Sequence, residues 1–204
     1  MKLTIIVDNV SSSDIRGEWG FSALVEFGGK KILLDTGASR LFLKNMKKLD
    51  IDVSDIDYAV LSHAHFDHAN GFPVFLDNNK KAKLYLREGT SANCYHKKYF
   101  INFYIGIPRR LPKKYADRIE IVSGNYKLMD GVYLIPHKTE GLAKIGIRES
   151  MFRKTEHGWI PDDFSHEQSL VFDTDKGLVI LNSCSHGGAA ATIDEIKAAF
   201  PKHQ

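Results

Sequence analysis

The sequence predicts an α/β chain in which two β-sheets pack face to face with helices on their outer sides. Three observations predict it. Apolar, β-branched stretches of strand length dominate both halves of the chain, segments with apolar residues at helical spacing stand among them, and short polar turns join neighbouring strands.

Leu3–Val7 reads as the first strand. Ser22–Phe27 and Lys31–Leu34 form a hairpin through Gly28-Gly29-Lys30, and Asp35-Thr36-Gly37 ends it. Arg40–Leu49 places Leu41, Met46 and Leu49, with Phe42 and Asn45 near them, on helical spacing. Asp57–Leu61 is a short buried-type strand that feeds directly into Ser62-His63. A short helix fits Pro73–Asp77, and strands fit Lys83–Leu86, Ile119–Val122 and Gly131–Ile135. Residues Ser91–Lys114 interleave Tyr95, Tyr99, Phe100, Phe103 and Tyr104 with Lys97, Lys98, Arg109, Arg110, Lys113 and Lys114. Pro136–Ser165 reads as a long loop with short elements. Strands Ser169–Asp173 and Leu178–Asn182 follow, joined by Thr174–Gly177, and a final helix over Ala189–Phe200 is amphipathic through Ile193, Ile196 and Phe200.

The bulk numbers narrow the function classes. A length of 204 residues suits one domain, 1–204, with a substantial core. At 43% hydrophobic and 26% charged the chain is globular in composition, neither disordered nor fibrous. A net charge of +3, without a basic arm or stripe, argues against a nucleic-acid partner. The apolar start at Met1–Val7 is too short for a signal peptide, and no apolar run reaches membrane-spanning length. Cys94 and Cys184 make no disulfide framework, so a reducing cytoplasm is the expected location. The expected partner is a small-molecule substrate, with no membrane; the oligomeric state is left open.

The chemistry concentrates in Ser62-His63-Ala64-His65-Phe66-Asp67-His68. Imidazole nitrogen and carboxylate oxygen are ligands that zinc and iron accept. Residues two apart at the end of a strand point the same way, so His63 and His65 can share an ion. A helix or turn starting at Asp67 lets Asp67 and His68 face a second ion, roughly 3.5–4 Å from the first in two-metal sites.

His-x-His-x-Asp-His after an apolar strand, preceded by Leu33-Leu34-Asp35-Thr36-Gly37, resembles the metallo-β-lactamase superfamily. Gly17-Glu18-Trp19-Gly20-Phe21-Ser22, His166-Glu167-Gln168-Ser169-Leu170 and Asn182-Ser183-Cys184-Ser185-His186 resemble one hydrolase branch of it, related to the dihydropterin ribofuranosylaminobenzene phosphate synthases. The resemblance implies an αββα four-layer sandwich. It implies His63, His65 and His166 on a first metal, Asp67 and His68 on a second, and Asp35 as a buried carboxylate that orients a ligand. Where the superfamily has a bridging aspartate, this chain reads Ser183-Cys184-Ser185-His186; His186 is the favoured ligand there, and Cys184 the alternative, as a thiolate or as inert packing. The pattern's last strand and its Gly-Gly-Phe-His segment have no counterpart before Pro201-Lys202-His203-Gln204, and His203 is not in a context to replace it, so the expectation is a chain lacking that strand and helix.

Other residues support two readings each. The aromatic–basic segment is either a lid or pocket wall, with Arg109 or Arg110 taking a substrate phosphate or carboxylate, or an ordinary helix with a solvated basic face. Trp19 and Phe21 either overhang the site or lie in the core. Asp162-Asp163 either supports a ligand histidine or makes a turn. His96, His137 and His157 are expected to be structural or exposed.

The expected function is metal-dependent hydrolysis of a small, anionic (phosphorylated or carboxylated) metabolite by a metal-bound hydroxide, with Asp67 as the catalytic carboxylate. Zinc is the expected cofactor, one or two ions, with iron or manganese also fitting. A synthase or transferase on a pterin or ribosyl-phosphate type substrate, and a metal-binding protein with little activity, are the alternatives.

Overall fold

A computed structural model describes residues 1–12 and 14–203 of the chain. Its strands are β1 (Lys2–Val7), β2 (Ser22–Phe27), β3 (Lys30–Leu34), β4 (Tyr58–Val60), β5 (Lys83–Arg87), β6 (Tyr95–Lys98), β7 (Ile101–Tyr104), β8 (Ile119–Val122), β9 (Tyr126–Met129), β10 (Val132–Pro136), β11 (Met151–Thr155), β12 (Gly158–Pro161), β13 (Gln168–Thr174) and β14 (Gly177–Leu181). The helices are α1 (Leu41–Lys48), α2 (Phe66–Ala69), α3 (Phe72–Asn78), α4 (Leu111–Lys114), α5 (Leu142–Arg148) and α6 (Ala189–Ala199). No described helix is long and apolar enough to cross a membrane.

The first sheet runs β1-β2-β3-β4-β5-β8 and the second β14-β13-β10-β9. The β2–β3 hairpin closes where Gly28 and Gly29, at φ 55° and 74°, supply the two left-handed residues of a tight turn. From β3 onward the first sheet is parallel, through β4, β5 and β8. Parallel neighbours end on the same edge, so the residues after β3 and β4 emerge side by side.

Three apolar clusters define the layers. Val25, Ile32, Leu34 and Val60 of the first sheet meet Leu134, Leu170 and Phe172 of the second. The outer face of the first sheet packs through Leu24, Leu33 and Ala59 on Phe42 and Met46 of α1 and Phe72 and Phe75 of α3. The outer face of the second meets α6 through Ile135, Val171 and Ile196. This helix–sheet–sheet–helix order is the expected αββα sandwich. Among the described residues β14 is an edge of its sheet.

The fold departs from expectation in one region. Ser91–Lys114 is not an ordinary helix: it holds the β6–β7 hairpin and the short α4. Pro136–Ser165, read as a long loop with short elements, holds α5, β11 and β12. The two segments pair with each other as a third sheet, β12-β11-β6-β7. The β6–β11 seam is short, Met151 opposite His96 and Phe152 opposite Tyr95. Edge-to-face rings reinforce the sheet, Tyr95 lying 5.4 Å from Tyr104 and 4.9 Å from Trp159. Of the aromatics that suggested a pocket wall, Tyr95 and Tyr104 are packing of this sheet, while Tyr99, Phe100 and Phe103 are exposed.

Phe172 is fully buried between the sheets and stands edge-on to Phe27 at 5.3 Å. Truncating it leaves a cavity that neither sheet can close, so Phe172→Ala is expected to lower unfolding free energy by about 3–5 kcal/mol in a denaturant titration.

Candidate metal centre

The centre forms where strand ends meet. Asp35 follows β3 and adopts φ 58°, a left-handed turn that Asp tolerates better than most residues. That turn aims its carboxylate beneath the end of β4. Asp35 Oδ1 accepts the Ser62 amide at 2.7 Å, and Oδ2 accepts Ser62 Oγ at 2.6 Å, His68 Nδ1 at 2.8 Å and Ser183 Oγ at 2.7 Å. The expected orienting role of Asp35 is therefore visible as contacts to four groups on three segments.

Two histidines of the motif, His63 and His68, are each held through one ring nitrogen. Ser62 Oγ gives its own proton to Asp35, so it accepts from His63 Nδ1 at 2.9 Å, leaving Nε2 of His63 as the lone-pair nitrogen. His68 gives Nδ1–H to Asp35, and its Nε2 stands 3.5 Å from Cys184 Sγ and 3.5 Å from Asp67 Oδ2. His186 turns Nδ1 toward Glu167 Oε2 at 3.4 Å, while its ring stacks on Phe164 at 4.2 Å. Glu167 is fully buried, lies 3.5 Å from His137 Nδ1, and accepts the His186 amide at 3.4 Å through Oε1.

The arrangement fits a cation. His63 Nε2 and His65 Nε2 are buried and have no hydrogen-bond partner. Polar atoms in that state cost free energy unless something accepts their lone pairs. One ligand-type atom from each of His63, His65 and His186 lies within 4.8 Å of the others, and the same holds for His63, His68 and Cys184. Burial, then the surrounding imidazoles, push His63 well below the usual histidine range, and burial takes His65 down to about 3, so both rings are neutral and able to ligate. Burial also opposes charge on His68, but Asp35 and Asp67 outweigh it and raise that imidazole well above its ordinary value. Burial alone would raise Asp67, yet His68 outweighs it and holds the carboxylate below the usual range.

The predicted residues divide accordingly. His63, His65 and His186 converge, and Asp67 and His68 lie beside each other next to them. His186 and Cys184 face different neighbours, so neither replaces the other. His166 does not join the His63–His65–His186 group. Its Nδ1 accepts the Ala64 amide at 3.1 Å, and its Nε2 faces Asp162 Oδ2 at 3.3 Å and Cys94 Sγ at 3.7 Å. Asp162 both faces His166 and turns the chain by accepting the Phe164 amide. His137 is buried against Ser169 and Glu167, and His157 is exposed. His203's side chain and Gln204 lie outside the described residues.

Sequence reading did not single out Glu167 or Cys94, nor Ser62 and Ser183 as supports. A carboxylate next to a histidine just before a strand was the signal available for Glu167; Cys94 carried none.

A cavity of about 220 Å³ opens over Asp67, His68, Ser183 and Cys184, with Trp19 and Phe21 on its wall. Trp19 overhangs it and is exposed, while Phe21 also packs against the inter-sheet core. Arg109 and Arg110 are exposed, and Arg109 lies over the Tyr104 ring at 4.2 Å; neither lines this cavity. Gly20 presses on the site from below: a Cβ there would sit 2.1 Å from the Asp67 carbonyl oxygen, and its φ is 133°. Glu18 locks the same loop by accepting the amides of Ala38 and Ser39.

The family model of the metallo-beta-lactamase superfamily matches residues 19–150. The chain belongs to the metallo-beta-lactamase superfamily. It is 28% identical over 200 residues to an uncharacterized protein of Methanocaldococcus jannaschii, covering 94% of this chain and 72% of that one. It is also 28% identical over 199 residues to a 7,8-dihydropterin-6-methyl-4-(beta-D-ribofuranosyl)-aminobenzene-5'-phosphate synthase of the same organism, covering 89% of this chain and 66% of that one. A crystal structure of a metal-dependent hydrolase of the beta-lactamase superfamily superimposes with a TM-score of 0.79 at 27% identity, over 97% of this chain and 71% of that one. An N-acyl homoserine lactone lactonase shares the fold at 18% identity and a TM-score of 0.53. Within this superfamily fold, the His-x-His-x-Asp-His loop stands at the carboxyl end of β4, beside the end of β3.

Two outcomes follow from the supports. Gly20→Ala forces the Asp67 backbone to move and is expected to weaken uptake of a divalent cation about 10–100-fold in calorimetric titration, the range for disturbed supporting residues. Glu167 is disfavoured by burial, but His137 and His186 outweigh it and depress its pKa far below the ordinary 4.5. A depressed carboxylate adds stability above its unfolded value and loses it as pH falls toward the folded one. Chelator-stripped protein should therefore lose stability below about pH 4.5, and Glu167→Gln should flatten that acid limb in melting curves taken across pH.

Proposed function

We propose that the chain is a metal-dependent hydrolase acting on a small, anionic metabolite, phosphorylated or carboxylated. The observation that carries the reading is the convergence of His63, His65 and His186, with two buried nitrogens lacking partners, beside Asp67, His68 and Cys184 at the floor of an open cavity. His63, His65 and His186 would hold a first ion; Asp67 and His68, with Cys184 beside them, would hold a second. Zinc suits this nitrogen, oxygen and sulfur set best, and iron or manganese also fit the imidazole–carboxylate part. A bound divalent cation supplies Lewis acidity toward a substrate oxygen and acidifies water.

The chain's own groups supply the rest. Asp67, held as a carboxylate by His68, accepts the proton of the attacking water and returns it to the leaving group. Asp35, Ser62 and Glu167 keep the imidazoles turned correctly. Trp19 and Phe21 give the cavity an apolar wall for the body of the substrate. The likeness to a metal-dependent hydrolase structure supports the same reading.

A second reading has its own support. The relative named as a synthase suggests that a nucleophile other than water attacks, on a pterin or ribosyl-phosphate type substrate. Product analysis in isotopically labelled water separates the two, since hydrolysis places the label in product and the synthase reaction does not.

Stripping metal with a chelator should abolish turnover of generic phosphodiester and ester substrates, and added zinc or manganese should restore it; activity surviving exhaustive chelation would sink the proposal. Asp67→Asn should lower kcat about 10²–10⁴-fold, the usual contribution of a positioned proton acceptor.

A further inference from the structure

A second group of donors lies behind the open site. Cys94, Asp162 and His166 join His65 there, and one ligand-type atom from each lies within 4.8 Å of the others. All four side chains are buried. Cys94 Sγ is 3.7 Å and Asp162 Oδ2 is 3.3 Å from His166 Nε2. Asp162 is anchored independently, through Oδ1, by the Phe164 amide at 3.0 Å.

We propose that His65, Cys94, Asp162 and His166 form a buried cation site, suited to zinc, that ties the third sheet to the sandwich. Thiolate, carboxylate and imidazole at this spacing are a zinc-type donor set. A thiolate and a carboxylate with two neutral imidazoles carry two negative charges, which a divalent ion cancels; a buried site needs such neutrality. The donors come from four places: His65 follows β4, Cys94 precedes β6, Asp162 follows β12 and His166 precedes β13. An ion among them links two strands of the third sheet to one strand of each main sheet, and binding energy of that kind is folding energy.

The proton balance is simple. The Cys94 thiol releases its proton to solvent as the sulfur–metal bond forms. With Nδ1 accepting from Ala64, the His166 ring carries its proton on Nε2. Coordination through Nε2 moves that proton to Nδ1, and the Ala64 amide gives up one hydrogen bond in exchange for the metal–nitrogen bond. His65 is shared with the open group. When an ion in the open site takes His65, the buried site keeps Cys94, Asp162 and His166 as its own ligands. The inference goes beyond the hydrolase reading and does not depend on catalysis.

The test uses full-length Cys184→Ser protein, stripped of metal and titrated with cobalt(II). The chain has two cysteines, so Cys94 is then the remaining thiol. The expected result is a thiolate-to-cobalt charge-transfer band in the near ultraviolet, lost in the Cys94→Ser, Cys184→Ser double variant. Asp162→Asn in the Cys184→Ser background should weaken the band's apparent affinity, and zinc should raise Tm more in Cys184→Ser than in the double variant. Cobalt bound with visible ligand-field bands but without the thiolate band overturns the buried site and leaves the open one standing. No cobalt uptake at all overturns both. Should the double variant fail to fold, the presence or absence of the band in Cys184→Ser protein still decides.

Discussion

The buried carboxylate of Asp35 is the interaction around which the rest is arranged. An ion out of contact with water is expensive unless it is fully hydrogen-bonded. Asp35 meets that demand with the amide and hydroxyl of Ser62, the imidazole of His68 and the hydroxyl of Ser183. Those groups come from the ends of β4 and β14 and from α2, while Asp35 itself ends β3. Satisfying one carboxylate therefore forces four pieces of chain to the same point. The parallel pairing of β3 with β4 makes this geometrically cheap, because both strands deliver their next residues to one edge.

The same logic orders the histidines. His63 and His68 give Nδ1 to Ser62 and Asp35, and His186 turns Nδ1 to Glu167. A ring pinned through one nitrogen has its other nitrogen aimed, and aiming a ligand before the ion arrives removes much of the ordering cost of binding. Unpartnered buried nitrogens remain on His63 and His65.

How much was legible follows from how local each feature is. His63, His65, Asp67 and His68 lie within one strand end and one helical turn, so spacing alone shows that they converge. The role of Asp35 was legible only through the resemblance to the superfamily, because its contacts reach Ser62, His68 and Ser183 on other segments. The separation of His166 from the His63–His65–His186 group was not local. Gln168 docks on the end of β4 through its amide to the Ser62 carbonyl and its side chain to the Leu61 carbonyl, and the Ala64 amide holds His166 there, while His186 meets His63 and His65. Bonds that join residues about a hundred positions apart leave no periodic trace in either segment.

The hairpin, the main strands, the amphipathic helices and the close spacing of His63, His65, Asp67 and His68 were determined by the sequence itself, because periodicity and residue spacing act over a few residues at a time; the layer order came with the family resemblance. Tertiary structure decided the third sheet, the pairing of His68 with Asp35, the support from Glu167 and the burial of Cys94 beside Asp162 and His166. Each of these depends on pairing distant segments, as Met151 with His96 across the third sheet. Such pairings are selected by packing of the whole chain, and a short strand carries too little pattern of its own to announce its partner.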